Sequence, residues 1–198
     1  MNFLAHIYLS GENDLLKIGN FVSDVIRGKN YLDYPKEMQK GILLHREIDN
    51  FTDMHLTYRL SKHRLHEKYG HYSGVIMDIV YDHFLAKNFH KFSDVKLENY
   101  IQDFYKLLQE HHPILPDKIK RMMIHMMQQN WLLQYQSLTG LEIILNQMDY
   151  RTKHRVHMQE AIVEVQQFYS EFESEFFSFF AELQDFCVLK TAELHQNL

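Results

Sequence analysis

The stretch PKEMQKGILLHREIDNFTDM, residues 35–54, decides how the rest of the chain is read. Pro35 sits where a first helical turn tolerates proline, because an N–H there would have no intrahelical acceptor. Behind it Met38, Ile42, Leu43 and Ile48 recur at helical spacing to about Met54. On such a helix, residues four apart stand one turn above another, so His45, Asp49 and Asp53 form one polar stripe with Arg46 at its flank. One segment thus carries both a helical signature and a concentration of metal-ligating side chains.

Working outward, residues 2–9 suit a short first helix, and Asn13 or Asp14 suits the cap of a second that runs to about Ile26 and stops at Gly28. Residues 29–34 read as a loop. Past the central stretch, a basic helix over about 57–69 ends at Gly70, and an apolar one follows from about Tyr72 to Phe89. Ser93 is expected to cap a helix over 94–110, and Pro113 and Pro116 to break the pattern before a Met-rich helix of about 117–129. Thr139 and Glu142 have capping-box spacing. Ile162, Val165, Phe168, Tyr169, Phe172 and Phe176 predict one long helix over about 154–186 with a buried stripe, and the last ten residues are expected to fray.

Composition agrees with helices. Only 7 Gly and 3 Pro in 198 residues leave few tight turns. The expected architecture is all-α, a compact single-domain helical bundle over residues 1–198, with the metal motifs in 1–90 and packing or partner helices in 91–198. A net charge of −5 lacks the basic field of a general nucleic-acid binder, so no nucleic acid is expected as partner. No uncharged apolar run is long enough for a bilayer, since two aspartates interrupt GVIMDIVYDHFLA, and no membrane association is expected. The single Cys187 excludes an intrachain disulfide, and the first residues lack the features of a secretory leader; both point to the cytoplasm.

The second chemical signal is DIVYDHF at 78–84. Asp78 and Asp82 lie four apart among Val75, Ile76, Met77, Ile79, Val80, Phe84 and Leu85. Two carboxylates on an apolar helix repel each other and are costly to bury, so the fold must supply a cation, an arginine or a shared proton. Asn20, Asp24 and Arg27 fall on roughly one face of the preceding helix and extend the same set. Aspartates with a few imidazoles suit a divalent metal, Mn²⁺ or Mg²⁺ first and an Fe- or Zn-type ion as the alternative. A metal of that kind lowers the pKa of a bound water, and Arg27 or Arg46 is positioned in sequence to stabilise charge developing on a phosphate. The competing reading is structural: Asp78 and Asp82 pair with Arg46 and Arg27, and His6 is as readily a core histidine as a ligand. No Gly-rich phosphate loop and no Ser or Cys nucleophile signature is present, which leaves water as the nucleophile.

These residues resemble the acyl carrier protein phosphodiesterases, distant relatives of the HD-type metal phosphohydrolases. The resemblance rests on MNFLAH at 1–6, GN at 19–20, SDVIRG at 23–28, GILLHREIDNFTD at 41–53 and DIVYDHFLA at 78–86, in that order. It continues more weakly through ILNQM at 144–148 and the aromatic last helix. The chain has no His-Asp dipeptide, only the reversed Asp82-His83, which makes the HD-type relation distant. The resemblance implies a helical enzyme that uses a divalent metal, typically manganese, to release 4′-phosphopantetheine from a serine of holo-acyl carrier protein. It implies that Asp24, His45, Asp49, Asp78 and Asp82 hold metal or activate water, that His6, Asp53 and His83 support them, and that Arg27 and Arg46 contact phosphate. The alternatives are a phosphohydrolase acting on a nucleotide or other small phosphoester, and a non-enzymatic helical adaptor. A carrier protein of this kind is acidic, and two basic clusters are candidates to meet it: Lys62, His63, Arg64 and Lys68, or Arg151, Lys153, His154, Arg155 and His157.

Overall fold

A computed structural model describes residues 1–197. Among them there is no strand. The helices are α1 (Phe3–Tyr8), α2 (Asp14–Val22), α3 (Lys36–Met54), α4 (Leu56–Tyr69), α5 (Tyr72–Lys87), α6 (Leu97–Glu110), α7 (Asp117–Gln128), α8 (Trp131–Gln134), α9 (Leu138–Arg151), α10 (Ile162–Gln167) and α11 (Tyr169–Asn197). The all-α expectation holds, and no helix among the described residues is long and apolar enough to cross a membrane.

Several boundaries differ from the expected ones, each for a local reason. Helix α2 starts where Asn13 accepts the Leu16 N–H at 2.9 Å, but ends at Val22, and Ser23–Val25 tightens into a 3₁₀ turn. Ser93 caps no helix; its hydroxyl accepts from Val95 N, and α6 starts only after Lys96. Ser137, not Thr139, caps α9 by accepting from Gly140 N at 3.0 Å. The expected single terminal helix is broken. Residues 152–157 form a strap in which Lys153, His154 and His157 all have positive φ, at 59°, 53° and 52°. Such backbone costs on the order of 1 kcal/mol per non-glycine residue, so a helix cannot run through it. Beyond Phe168, α11 is helical through Asn197, so the residues expected to fray are drawn as its last turns; Leu198 lies outside the described residues.

Helices α2 and α3 pack backbone to backbone. A Cβ on Gly19 would meet Met38 O at 2.1 Å, and one on Gly41 would meet Leu16 O at 2.1 Å. No other residue type fits this crossing, and it brings Asn20 and Asp24 beside His45. Helix α5 runs through the middle of the molecule: Ile76, Met77, Ile79, Val80, Tyr81, Asp82, His83 and Phe84 are all buried. A helix buried all round must find internal partners for its polar side chains. Helix α11 covers α3, α4 and α5, with Phe172, Phe176, Phe179 and Phe180 fully buried. Each such ring contributes about 2 kcal/mol of transfer free energy, which is why the aromatic stripe is packing rather than chemistry.

Candidate metal centre

His6 from α1 and His45 from α3 stack with ring centroids 3.9 Å apart and planes inclined by 19°. Both rings rest on Asn20. Its side-chain oxygen lies 2.8 Å from His6 Nδ1, and its backbone oxygen lies 2.8 Å from His45 Nδ1. Carbonyl oxygens accept only, so each Nδ1 carries the donated proton, and in the neutral ring each Nε2 presents a lone pair. Asn20 is fixed in turn by donating from its amide to Ser10 Oγ at 2.9 Å.

The two Nε2 atoms face Asp49, at 3.4 Å for His6 and 3.2 Å for His45. Asp24 reaches His45 Nε2 from the other side at 3.2 Å. Without a metal these contacts set the protonation states. Burial opposes a charge on His45, but the Asp24 and Asp49 carboxylates outweigh it and raise its pKa to about 9. His6, buried and beside His45, is pushed down to about 4. Asp49 resists burial through its contacts with His45 and His6, which hold its carboxyl well below the usual range. Asp24 is lowered chiefly by its hydrogen bond with His45.

The donor set fits a divalent cation. His6 Nε2 is buried with no hydrogen-bond partner, an orphan that normally costs about 1–3 kcal/mol. It lies within 4.8 Å of ligand atoms of His45 and Asp49, so one ion can be reached by all three. Histidine ligands commonly donate their second ring nitrogen to a carbonyl, and Asn20 supplies that acceptor to both. Asp24 is the adjacent fourth side chain and the second carboxylate.

The second motif is organised differently. Asp82, 0 % exposed, accepts backbone N–H groups from Asn2 at 3.2 Å, Leu4 at 2.7 Å and Ala5 at 3.3 Å, and so caps α1. Burial pushes its carboxyl up to about 7, against these donors and the nearby terminal ammonium. Asp82 therefore does not join the cluster or line the cleft. Asp78 does line it, and it accepts from the Tyr58 hydroxyl at 2.7 Å and from the Met1 ammonium at 2.9 Å. His83 points away from the cleft: its Nδ1 donates to Tyr135 O at 2.7 Å, and Nε2 accepts from the Tyr169 hydroxyl at 2.7 Å.

The arginines are also placed apart. Arg46 donates to Gly28 O at 2.9 Å and stacks over Tyr31, with 5.4 Å from its guanidinium carbon to the ring centroid; it holds the loop after α2. Arg27 is exposed. Neither lines the cleft, and the alternative ion pairs with Asp78 and Asp82 do not form among the described residues. Asp53 lies at the cleft edge, 3.9 Å from Lys62.

Asp24, His45 and Asp49 of the cluster line one side of a cleft of about 870 Å³. The facing wall comes from α7, α8 and α9, with His125, Trp131, Tyr135, Ile144, Gln147 and Arg151. Residues beyond 91, expected to be packing and partner helices, thus line the cavity as well. Their periodicity gives no hint of it, because the half-buried Trp131 and the buried Tyr135 look like any other aromatics in a helical pattern.

The family model described as acyl carrier protein phosphodiesterase matches residues 1–183. The chain is 29% identical over 196 residues to the acyl carrier protein phosphodiesterase of Photorhabdus laumondii, covering 96% of this chain and 99% of the relative. It is 25% identical over 195 residues to that of Pectobacterium atrosepticum, covering 98% and 100%. No solved structure gives a significant match. With nearly its whole length matched, the chain belongs to the acyl carrier protein phosphodiesterase family.

Proposed function

We propose that this protein is a metal-dependent phosphodiesterase that hydrolyses the bond between 4′-phosphopantetheine and a serine of holo-acyl carrier protein. The observation that carries the reading is the His6, His45 and Asp49 donor set, of which His45 and Asp49 line a cleft roomy enough for an extended arm. Family membership supplies the substrate class. Manganese is our first choice of metal, because two imidazoles with carboxylates suit it and no thiolate is at hand. We place the reaction in the cytoplasm; Cys187 is a lone buried thiol pushed up to about 12 by burial.

His6, His45 and Asp49 would hold the metal, and Asp24 would complete the shell or accept a proton from the attacking water. When bound, the metal supplies a water of lowered pKa and an electrophile for the phosphoryl oxygens. Asn20 keeps both imidazoles in the tautomer that leaves Nε2 unprotonated. Asp78, held by Tyr58, faces the same cleft and is positioned to orient substrate or water. Attack on phosphorus breaks the P–O bond to serine; the serine oxygen leaves with a proton, giving apo-carrier and phosphopantetheine.

The test is to incubate manganese-loaded protein with holo-carrier and follow the carrier by intact mass. Loss of the phosphopantetheine mass, abolished by chelator, is expected. An unchanged carrier mass alongside turnover of nucleotides would sink the carrier reading in favour of a small-phosphoester hydrolase.

A further inference from the structure

The two basic clusters of the sequence have different fates in the fold. In the first, Lys62 faces Asp53 at 3.9 Å, Arg64 is held by Glu175 at 2.6 Å, and Lys68 contacts Glu164 at 3.0 Å. Those charges are spent within the molecule. In the second, Arg151, Lys153 and Arg155 are exposed and have no carboxylate within ion-pair distance among the described residues. The only polar contact of the Arg151 guanidinium there is Met148 Sδ at 3.6 Å.

The strap that carries these cations is built, not loose. Asp149, fully buried at the end of α9, accepts from the Met158 N–H at 2.9 Å and pairs with His154 Nδ1. One carboxylate thus ties both ends of the turn. The backbone between them holds Lys153, His154 and His157 in the left-handed region, a conformation that persists only where surrounding contacts enforce it and that concentrates at ligand clamps. Arg151 and His154 line the cleft that contains Asp24, His45 and Asp49, whereas Lys153, Arg155 and His157 lie on the strap outside it.

We infer that the strap over residues 151–157 docks the acidic face of a folded protein whose attached group enters the cleft. A small anion would need cations only at the lining. Here the row continues outward from the rim over solvent-facing residues, which suits an extended acidic surface. The chain as a whole carries −5, so it repels such a partner everywhere except where cations are left unpaired. The inference rests on the proposed carrier reaction for the identity of the partner, and its test separates the two.

The experiment compares wild type with Lys153→Glu/Arg155→Glu, both positions outside the cleft, and with Lys118→Glu as an exposed charge change elsewhere. Three readouts are taken on manganese-loaded protein: KM and kcat for holo-carrier at low and high salt, turnover of bis(4-nitrophenyl) phosphate, and binding of fluorescent apo-carrier. We expect the double variant to raise the carrier KM by about tenfold at low salt and to flatten its salt dependence. Its kcat, its small-diester turnover and the Lys118→Glu control should stay at wild-type values. An unchanged carrier KM with carrier cleavage intact overturns the docking surface and leaves the proposed reaction standing. Strap-dependent binding of apo-carrier without cleavage of holo-carrier sinks the reaction and upholds the docking surface. If instead a labelled RNA binds the strap and apo-carrier does not, the protein partner is wrong.

Discussion

Two helices of this protein carry a pair of potential ligand side chains one helical turn apart, His45 and Asp49 on α3 and Asp78 and Asp82 on α5, yet only the first pair stands whole in the metal-ligating cluster. On α3, Asp49 stands one turn from His45, at the lip of a cleft, with two imidazole nitrogens aimed at it. On α5, Asp82 stands one turn from Asp78 and is used up as the cap of α1, while Asp78 reaches the cleft held by Tyr58 and the chain's own amine. The difference lies in the surroundings, not in the spacing. Helix α3 is buried on one face and open on the other, so its stripe can keep unsatisfied lone pairs for a ligand. Helix α5 is buried all round, and a buried carboxylate must be satisfied by donors of the fold itself.

The contrast can be broken first at Asp49. Asp49→Ala removes a direct ligand, and we expect kcat/KM toward holo-carrier to fall by about a thousandfold or more, with bound metal lost and the thermal midpoint nearly kept. A variant that unfolds instead would make α3 as structural as α5. The converse holds at Asp82. Asp82→Ala orphans the backbone N–H groups of Asn2, Leu4 and Ala5, so a loss of about 3 kcal/mol in denaturant-unfolding free energy is expected. Unchanged stability with abolished metal binding would return Asp82 to the site.

A third prediction sharpens the electrostatics of the open pair. In chelator, His45 has a folded pKa of about 9 against 6.5 unfolded. Its raised pKa stabilises the metal-free fold fully below pH 6.5, and that contribution is lost as pH rises through 9. The amount is about 3 kcal/mol. Urea titrations across this range should show the decline, and His45→Gln should flatten it; an equal decline in the variant assigns the effect elsewhere. The smallest effect is expected at Asn20. Asn20→Ala removes the side-chain acceptor of the His6 ring N–H while His45 keeps the backbone oxygen of residue 20, and it should weaken manganese binding by about tenfold by calorimetry, while the protein stays folded. Wild-type affinity would mean that the tautomers are set without it.

Much of this was legible in the residues. The 3.6-residue recurrence of Met38, Ile42 and Ile48 specifies α3, and the scarcity of glycine and proline specifies a helical bundle, because both act locally on the backbone. The closeness of His45 to Asp49 is likewise a property of one helical turn. The strap was not legible: residues 154–157 fall at the start of the stretch read as one long helix, ahead of the apolar repeat that begins at Ile162, and the turn shows only in the buried Asp149 and the three left-handed residues.

The sequence by itself determined the helices, the shared turn of His45 and Asp49, and the family, since each depends on short-range order along the chain. Only the tertiary structure decided that His6 is turned toward that turn and that Asn20 orients both rings. It likewise spent Asp82 on a helix cap and left Arg151, Lys153 and Arg155 without a carboxylate among the described residues while Lys62, Arg64 and Lys68 of α4 found one each. Those outcomes depend on which donors and acceptors other helices bring within about 3 Å, and helical periodicity carries no record of that.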